Sequence, residues 1–534
     1  MKKIALKMRM PMMLVFSGLA TATPLLFPKL GFFQWLSLIP MAIVLIAIAG
    51  DEKVRPFRVY GLGMIFYMSY YSVIYHWFLY MYPLDFVGLT PALSVVVVLL
   101  GCFGIAFVQA IFSSLGFVAF VVISKTRLVR KYPLFMPFVM ASIFVVAEWW
   151  QTIGWWGMPW GKLAIGQVSF GLLVKSSAIF GPYFVSFIIV AFSFLLAMAI
   201  MNKTSRRKIA LAVAMSLFCL NLALGTIISL GYSEGDGKVV RVAAAQGNVP
   251  SGEKWSGGYP ALIEMYGEIT ALAAADGADM IVWPETALPC DINTEKYQYI
   301  KEAVREIAVE NDITILISTF TTDEESGMYY NSLYEITSDG EFGSDVYKKQ
   351  KLVPFGEFVP MRDIVVAIFP PLADINMLQS DLKAGDEATV INGEHGKIGC
   401  GICFDSAYET VVLDAVRGGA EMIALSTNYS WFKDSRALNM HNAHSQLRAI
   451  ESGRYVVCSG NTGISSVIDP MGNVLDEVGA LERGYAMADV SLRNEPTVYS
   501  VIGNSFVYLC MTFTVCLPIA STVLRTRKEQ DIEQ

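Results

Sequence analysis

The chain has 534 residues, 54% of them hydrophobic and 16% charged, and a formal net charge of −7. It is too long for one ordinary domain and too apolar for an ordinary soluble protein, which implies a membrane protein with a further domain attached. Of its 47 Asp and Glu, only Asp51, Glu52, Asp85, Glu148, Glu234 and Asp236 precede residue 240, so two regions facing different solvents are expected.

The N-terminus sets Lys2, Lys3, Lys7 and Arg9 before an apolar run, and Ala20-Thr21-Ala22 has the small residues of a signal-peptidase site. A second apolar run, 31–49, follows almost at once, so the reading is a retained helix, the first arm of a hairpin. Further apolar runs lie near 57–82, 91–123, 133–150, 176–200, 208–231 and 505–524. Each approaches the ~20 residues a bilayer requires, giving about eight spans. The 91–123 run is overlong and expected to tilt or to extend past the bilayer.

Short loops retain lysine and arginine on the cytoplasmic side. The N-terminus, Lys53/Arg55/Arg58, Lys125/Arg127/Arg130/Lys131, Lys203/Arg206/Arg207/Lys208 and Arg525/Arg527/Lys528 all fall on one side of the expected spans. The segment between the seventh and eighth spans is therefore expected outside the cytoplasm. The domains read as 1–231 for seven helices, 232–500 for an extracytoplasmic domain, and 501–534 for a last helix and cytoplasmic tail. On the outer face, loop 154–171 carries Trp155, Trp156 and Trp160 between glycines and reads either as an interfacial anchor or as a re-entrant segment. Glu148, at the edge of a span, fits either role.

The outer domain opens with the strand VVRVAAAQ and runs through a helix near 260–276 into the strand ADMIVWPE. ITILISTF, YNSLYEIT, KIGCGICF, EMIALSTN, RYVVCSGN and GISSVID continue as strands, with helices near 295–310, 407–418 and 437–452. This alternation predicts an α/β domain around a buried sheet. It contains no glycine-rich phosphate loop, which argues against nucleotide use.

Cys403 ends a short apolar run, with Asp405 two positions on. Such a thiol is either core packing or an exposed nucleophile, and a nucleophile needs a base for its proton and a donor for the oxyanion. Glu285 closes the buried pattern MIVWPE and reads as a base or as a helix-capping carboxylate. Lys349 competes with its neighbours Lys348 and Lys351, and the pattern alone does not choose. Cys400 and Cys403 form a C-x-x-C without the companion pair a zinc site needs, and His441 and His444 lack a metalloprotease carboxylate pattern. The scattered cysteines suggest no disulfide framework. No metal, no cofactor and no nucleic-acid partner are expected.

The order Glu285, Lys349, Cys403, within WPE, a strand-ending lysine and CFD, resembles the carbon–nitrogen hydrolase (nitrilase) superfamily, whose domains are α-β-β-α sandwiches. LVPFGEFVP, QGNVPSGEKW, STNYSWF and LRAIESGRYVV with NTGISSVIDPMG, on a domain between several helices and one more, resemble the bacterial apolipoprotein N-acyltransferase family over essentially the whole chain. The resemblance implies a base at Glu285, a nucleophile at Cys403 and a lysine three positions before LVPFGE, which selects Lys349. It makes Glu357 a supporting carboxylate, and Trp255, Asn331, Asn428, Trp431 and Arg448 pocket residues. Two departures bear on pocket detail: Phe404-Asp405 where the family often has Tyr-Glu, and Asn428-Tyr429-Ser430-Trp431-Phe432-Lys433 where it often has Asn-Asp-Ala-Trp-Phe-Gly.

An acyltransferase facing away from the cytoplasm has no access to cytosolic acyl carriers, so membrane phospholipid is the expected donor. The resemblance then implies transfer through a Cys403 thioester, with the Phe404 N–H helping to hold the oxyanion. The acceptor it implies is the α-amino group of an apolipoprotein's diacylglyceryl-modified N-terminal cysteine, and the setting a bacterial inner membrane. A monomer in contact with membrane lipids is expected. The alternatives are a membrane-anchored amidase, in which water takes the second step, and a transporter or receptor with an inactive outer domain.

Overall fold

The computed structural model describes residues 2–533 except 85–88, 204, 236, 251, 253, 255–257 and 369–380. The chain falls into two compact units, one of Met1–Leu79, Val97–Gly231 and Ile502–Gln534, the other of Tyr80–Val96 and Tyr232–Val501.

The first unit is helical. Among the described residues, five helices are long and apolar enough to cross a membrane: Pro28–Ala49, Pro91–Ser124, Pro182–Met201, Ser205–Leu230 and Ser505–Val523. The other expected positions carry the helices Lys2–Leu26, Pro56–Ile74 and Phe135–Trp150. Several polar groups inside this unit are hydrogen-bonded to one another, as burial in an apolar medium favours. Gln167 accepts from the Trp35 indole (3.0 Å) and donates to Gln34 (2.7 Å), and Glu148 accepts from the Leu163 N–H (2.9 Å). In loop 154–171 Trp155 is 38% exposed, whereas Trp160 is 1% exposed and packs on Trp77 with ring centroids 5.1 Å apart.

Among its described residues the second unit holds twelve strands in two six-stranded sheets. The first has the order β12-β1-β2-β3-β4-β5, with β1 Val239–Gln246, β2 Met280–Val282, β3 Thr314–Thr322, β4 Tyr329–Ile336, β5 Tyr347–Lys348 and β12 Gly484–Ser491. The second has the order β11-β10-β9-β8-β7-β6, with β6 Val390–Gly393, β7 Gly396–Ile402, β8 Met422–Thr427, β9 Val456–Gly460, β10 Ser465–Ile468 and β11 Val474–Val478. In each sheet three parallel strands, β1-β2-β3 or β7-β8-β9, are flanked by antiparallel ones. Parallel strands need helical crossovers, and these cover the outer faces.

Helices Tyr259–Ala275 and Gln298–Asn311 pack Tyr266, Ile269, Ile300 and Val304 on Ile281 and Ile315 of the first sheet. Helices Glu409–Arg417 and Ala437–Ser452 pack Val412, Ala415 and Ala449 on Ile423 and Val456 of the second. Each such valine or isoleucine contributes about 1.5–3 kcal/mol by leaving water. Gly399 admits the close helix approach: a Cβ there would lie 2.9 Å from that of Ala415. The inner faces meet through hydrogen bonds from Ser426 to the Trp283 carbonyl (2.6 Å) and from Ser459 to the Ala245 carbonyl (2.7 Å). The result is an α-β-β-α sandwich.

Candidate active site

The C-terminal ends of the parallel strands, where chemistry gathers in open α/β sheets, carry the candidate residues. β2 is followed by Trp283 and Pro284 and then by Glu285, 5% exposed. The next residue, Thr286, has φ 45°, a left-handed conformation that a β-branched residue avoids at about 1–3 kcal/mol. Glu285 Oε1 accepts from Asn331 Nδ2 on β4 (2.8 Å) and from Lys349 Nζ beyond β5 (2.9 Å). The same ammonium donates to Glu357 Oε1 (2.7 Å), whose other oxygen accepts from the Val353 N–H (2.8 Å). Lys349 is 1% exposed. Neither Lys348, whose ammonium lies over the Tyr330 ring, nor Lys351, which lies over Tyr408, occupies this place.

Cys403 terminates β7 at φ 49° and opens a tight turn through Ala407. A non-glycine residue holds such a backbone only when its surroundings over-determine it, and Asp405 supplies the determination. Its carboxylate accepts from the Ile402 N–H (2.9 Å), the Tyr347 hydroxyl (2.7 Å) and the Lys351 N–H (2.8 Å). The Cys403 turn is thereby tied to the lysine-bearing segment. Cys290, Cys400 and Cys458 are buried, whereas Cys403 is half-buried.

Burial, then the charge of Glu285, push the Cys403 thiol well above the ordinary range, with Lys349 and the Asn428 N–H acting the other way. The resting thiol is therefore protonated at neutral pH and needs a base at the moment of attack. Burial pulls Lys349 down, but Glu285 and Glu357 outweigh it and hold the lysine well above its usual value, as a cation. His441, whose ring edge meets Tyr429, is pushed down to about 3 by burial and then by Lys349, so it stays neutral. The arrangement is a protonated thiol beside a carboxylate and a fixed cation.

Two family models match the chain: the Apolipoprotein N-acyltransferase N-terminal domain over residues 17–195 and Carbon-nitrogen hydrolase over residues 241–495. An apolipoprotein N-acyltransferase of Allorhizobium ampelinum is 31% identical over 368 residues, 67% of this chain and 67% of its own. The chain belongs to the apolipoprotein N-acyltransferase family. Its namesake in Gloeobacter violaceus is 29% identical over 92% of this chain and 90% of its own, and that of Geobacter metallireducens 26% identical over 94% and 93%. Membership in the apolipoprotein N-acyltransferase family favours neither the amidase nor the transporter alternative.

Of the residues the sequence singled out, the structure brings Glu285, Lys349, Glu357, Asn331 and Cys403 together. Phe404 follows the thiol, its ring edge-on to Tyr408 at 5.3 Å. Asn428 points its N–H at the Cys403 sulfur and takes the Ser430 hydroxyl on its side chain (2.7 Å), in the loop that also carries half-buried Trp431. Trp255 lies outside the described residues.

Arg448 is fully buried between Glu451 (2.8 Å) and Glu409 (3.8 Å) in the helical layer over the second sheet, where a buried guanidinium finds the carboxylates it needs. Sequence reasoning missed Asp405 as a clamp, together with Tyr347, Thr286 and Lys254. Lys254 stands in QGNVPSGEKW, where attention went to the tryptophan beside it.

Proposed function

We propose that this chain transfers a fatty acyl group from membrane phospholipid to the α-amino group of an apolipoprotein's diacylglyceryl-modified N-terminal cysteine, through a thioester on Cys403. The observation that carries the reading is the shared buried cluster of Glu285, Lys349 and Glu357 acting on the one half-buried thiol of the α/β unit. In the first half-reaction Glu285 takes the thiol proton as sulfur bonds to the ester carbonyl carbon. Lys349 Nζ and the Phe404 N–H hold the oxyanion, where each donor is worth about 2.7–4 kcal/mol of barrier. The carbon–oxygen bond then breaks, and Glu285 returns the proton to the departing lysophospholipid.

In the second half-reaction the amine attacks the thioester and gives its proton to Glu285. The carbon–sulfur bond breaks, and the thiolate takes that proton to reform the thiol. Asn331 and Glu357 keep the base and the cation in register throughout. Asn428 and Trp431 line the approach, and one chain carries every group required, consistent with a monomer.

The setting we propose is a bacterial inner membrane with residues 232–500 on the periplasmic face, supported by the one-sided loop lysines and arginines. Intact mass of the full chain in phospholipid micelles without amine tests the function. One acyl mass on Cys403, removable by hydroxylamine and absent from Cys403→Ala, is expected. Free fatty acid with no adduct would sink it.

A further inference from the structure

Lys254 is 2% exposed, yet its ammonium meets no carboxylate among the described residues. It donates instead to the main-chain carbonyl of Glu285 (2.6 Å) and to the Thr286 hydroxyl (2.8 Å). An ammonium buried on neutral acceptors is costly. Burial pulls Lys254 down to about 7, with the charges of Glu285 and Cys403 pushing back. A methionine would fill the same space without that cost, so the residue has a task that packing alone does not supply.

The task is legible in what it grips. The corner at Glu285 and Thr286 turns through a left-handed threonine. The Thr286 N–H is held by the Ser318 hydroxyl (3.0 Å) and the Glu285 N–H by the Thr427 carbonyl (3.3 Å). Lys254 holds the remaining two groups, the Glu285 carbonyl and the Thr286 hydroxyl. The Glu285 carboxylate is fixed at its far end by Asn331 and Lys349, so the near end is fixed by this corner.

We propose that Lys254 is a positioning residue for acyl transfer, holding the Glu285–Thr286 corner so that the carboxylate stays aligned with the Cys403 thiol. The inference rests on the reading of Glu285 as the base. A shift of the base by about an ångström is enough to slow the step about 10²-fold.

The test is single-turnover acylation of the full chain in micelles of phosphatidylethanolamine and phosphatidylglycerol, followed by intact mass. Lys254→Met is expected to lower the rate constant at saturating phospholipid by about 10²-fold. Burst amplitude, which counts competent sites, and half-saturating phospholipid stay at wild-type values, a split that a folding defect would not give. Adding Thr286→Gly, which adopts positive φ without strain, is expected to restore part of the rate. A Lys254→Met rate within about threefold of wild type, or a loss confined to half-saturation, overturns the inference.

Should Lys254→Met not fold, Thr286→Val removes one of the two acceptors at constant shape. It is then expected to slow acylation about tenfold, and a wild-type rate overturns the inference. A wild-type chain that gains no acyl mass would instead overturn the proposed function.

Discussion

Among the described residues the α/β unit twice buries one cation between two carboxylates, and the two clusters have different surroundings. Arg448 sits between Glu409 and Glu451 in the helical layer, and Lys349 between Glu285 and Glu357 at the strand ends. Arginine's planar fork suits a permanent tie between two helices, whereas lysine's compact charge can serve two carboxylates and still face a third group. The other difference is the neighbourhood. Beside Lys349 stand a half-buried thiol and two left-handed non-glycine residues, Cys403 and Thr286; beside Arg448 there is packing. Buried charge alone does not make a candidate catalytic site, but buried charge next to strained backbone and a reactive atom does.

The comparison is broken most sharply by removing each cation in turn. Lys349→Met is expected to cut the single-turnover acylation rate by about 10²–10³-fold, the usual cost of one oxyanion donor. Arg448→Met is expected to leave that rate within a few-fold and instead to cost about 3–5 kcal/mol of stability, read as a lowered thermal midpoint, because two carboxylates stay buried without their cation. Equal loss of rate in both variants would erase the distinction.

A finer test uses the thiol as reporter. Glu285 raises the Cys403 pKa and Lys349 lowers it. Glu285→Gln should therefore lower the thiol pKa and speed iodoacetamide alkylation at neutral pH while abolishing acyl transfer. Lys349→Met should raise the pKa and slow alkylation. In wild type the alkylation rate is expected to climb with pH without levelling off in the ordinary thiol range, and a plateau near neutrality would contradict the geometry.

The smallest effect concerns Lys433, at φ 45° and ψ −131°, a backbone suited to glycine, with its ammonium on the Tyr82 carbonyl (2.7 Å). Relief of about 1–3 kcal/mol of strain exceeds glycine's extra chain entropy of about 0.5–1 kcal/mol. Lys433→Gly is expected to raise the thermal midpoint slightly, and a fall would assign more to the Tyr82 contact than an exposed hydrogen bond ordinarily contributes.

Much of this was legible beforehand where the signal is local. Apolar runs long enough for a bilayer, the jump in acidic residues after 240 and the buried β1, β2, β3, β7, β8 and β9 all announce themselves by period and composition. The edge strands did not. β5 has two residues and β11 is exposed at its three central positions, so neither leaves a hydrophobic pattern. β12 pairs with β1 across more than two hundred residues, a register no window contains.

The amino-acid order by itself determined that an apolar helical part and a layered α/β part share the chain, and which glutamate, lysine and cysteine belong to one recognisable order. Tertiary structure alone decided that Arg448 ties helices together, that Asp405 and Tyr347 hold the Cys403 turn, and that Lys254 grips the corner behind Glu285. The physical reason is range. Burial and periodicity are written in neighbouring residues, but the partner of a buried charge is whichever group the folded chain brings within about 3 Å.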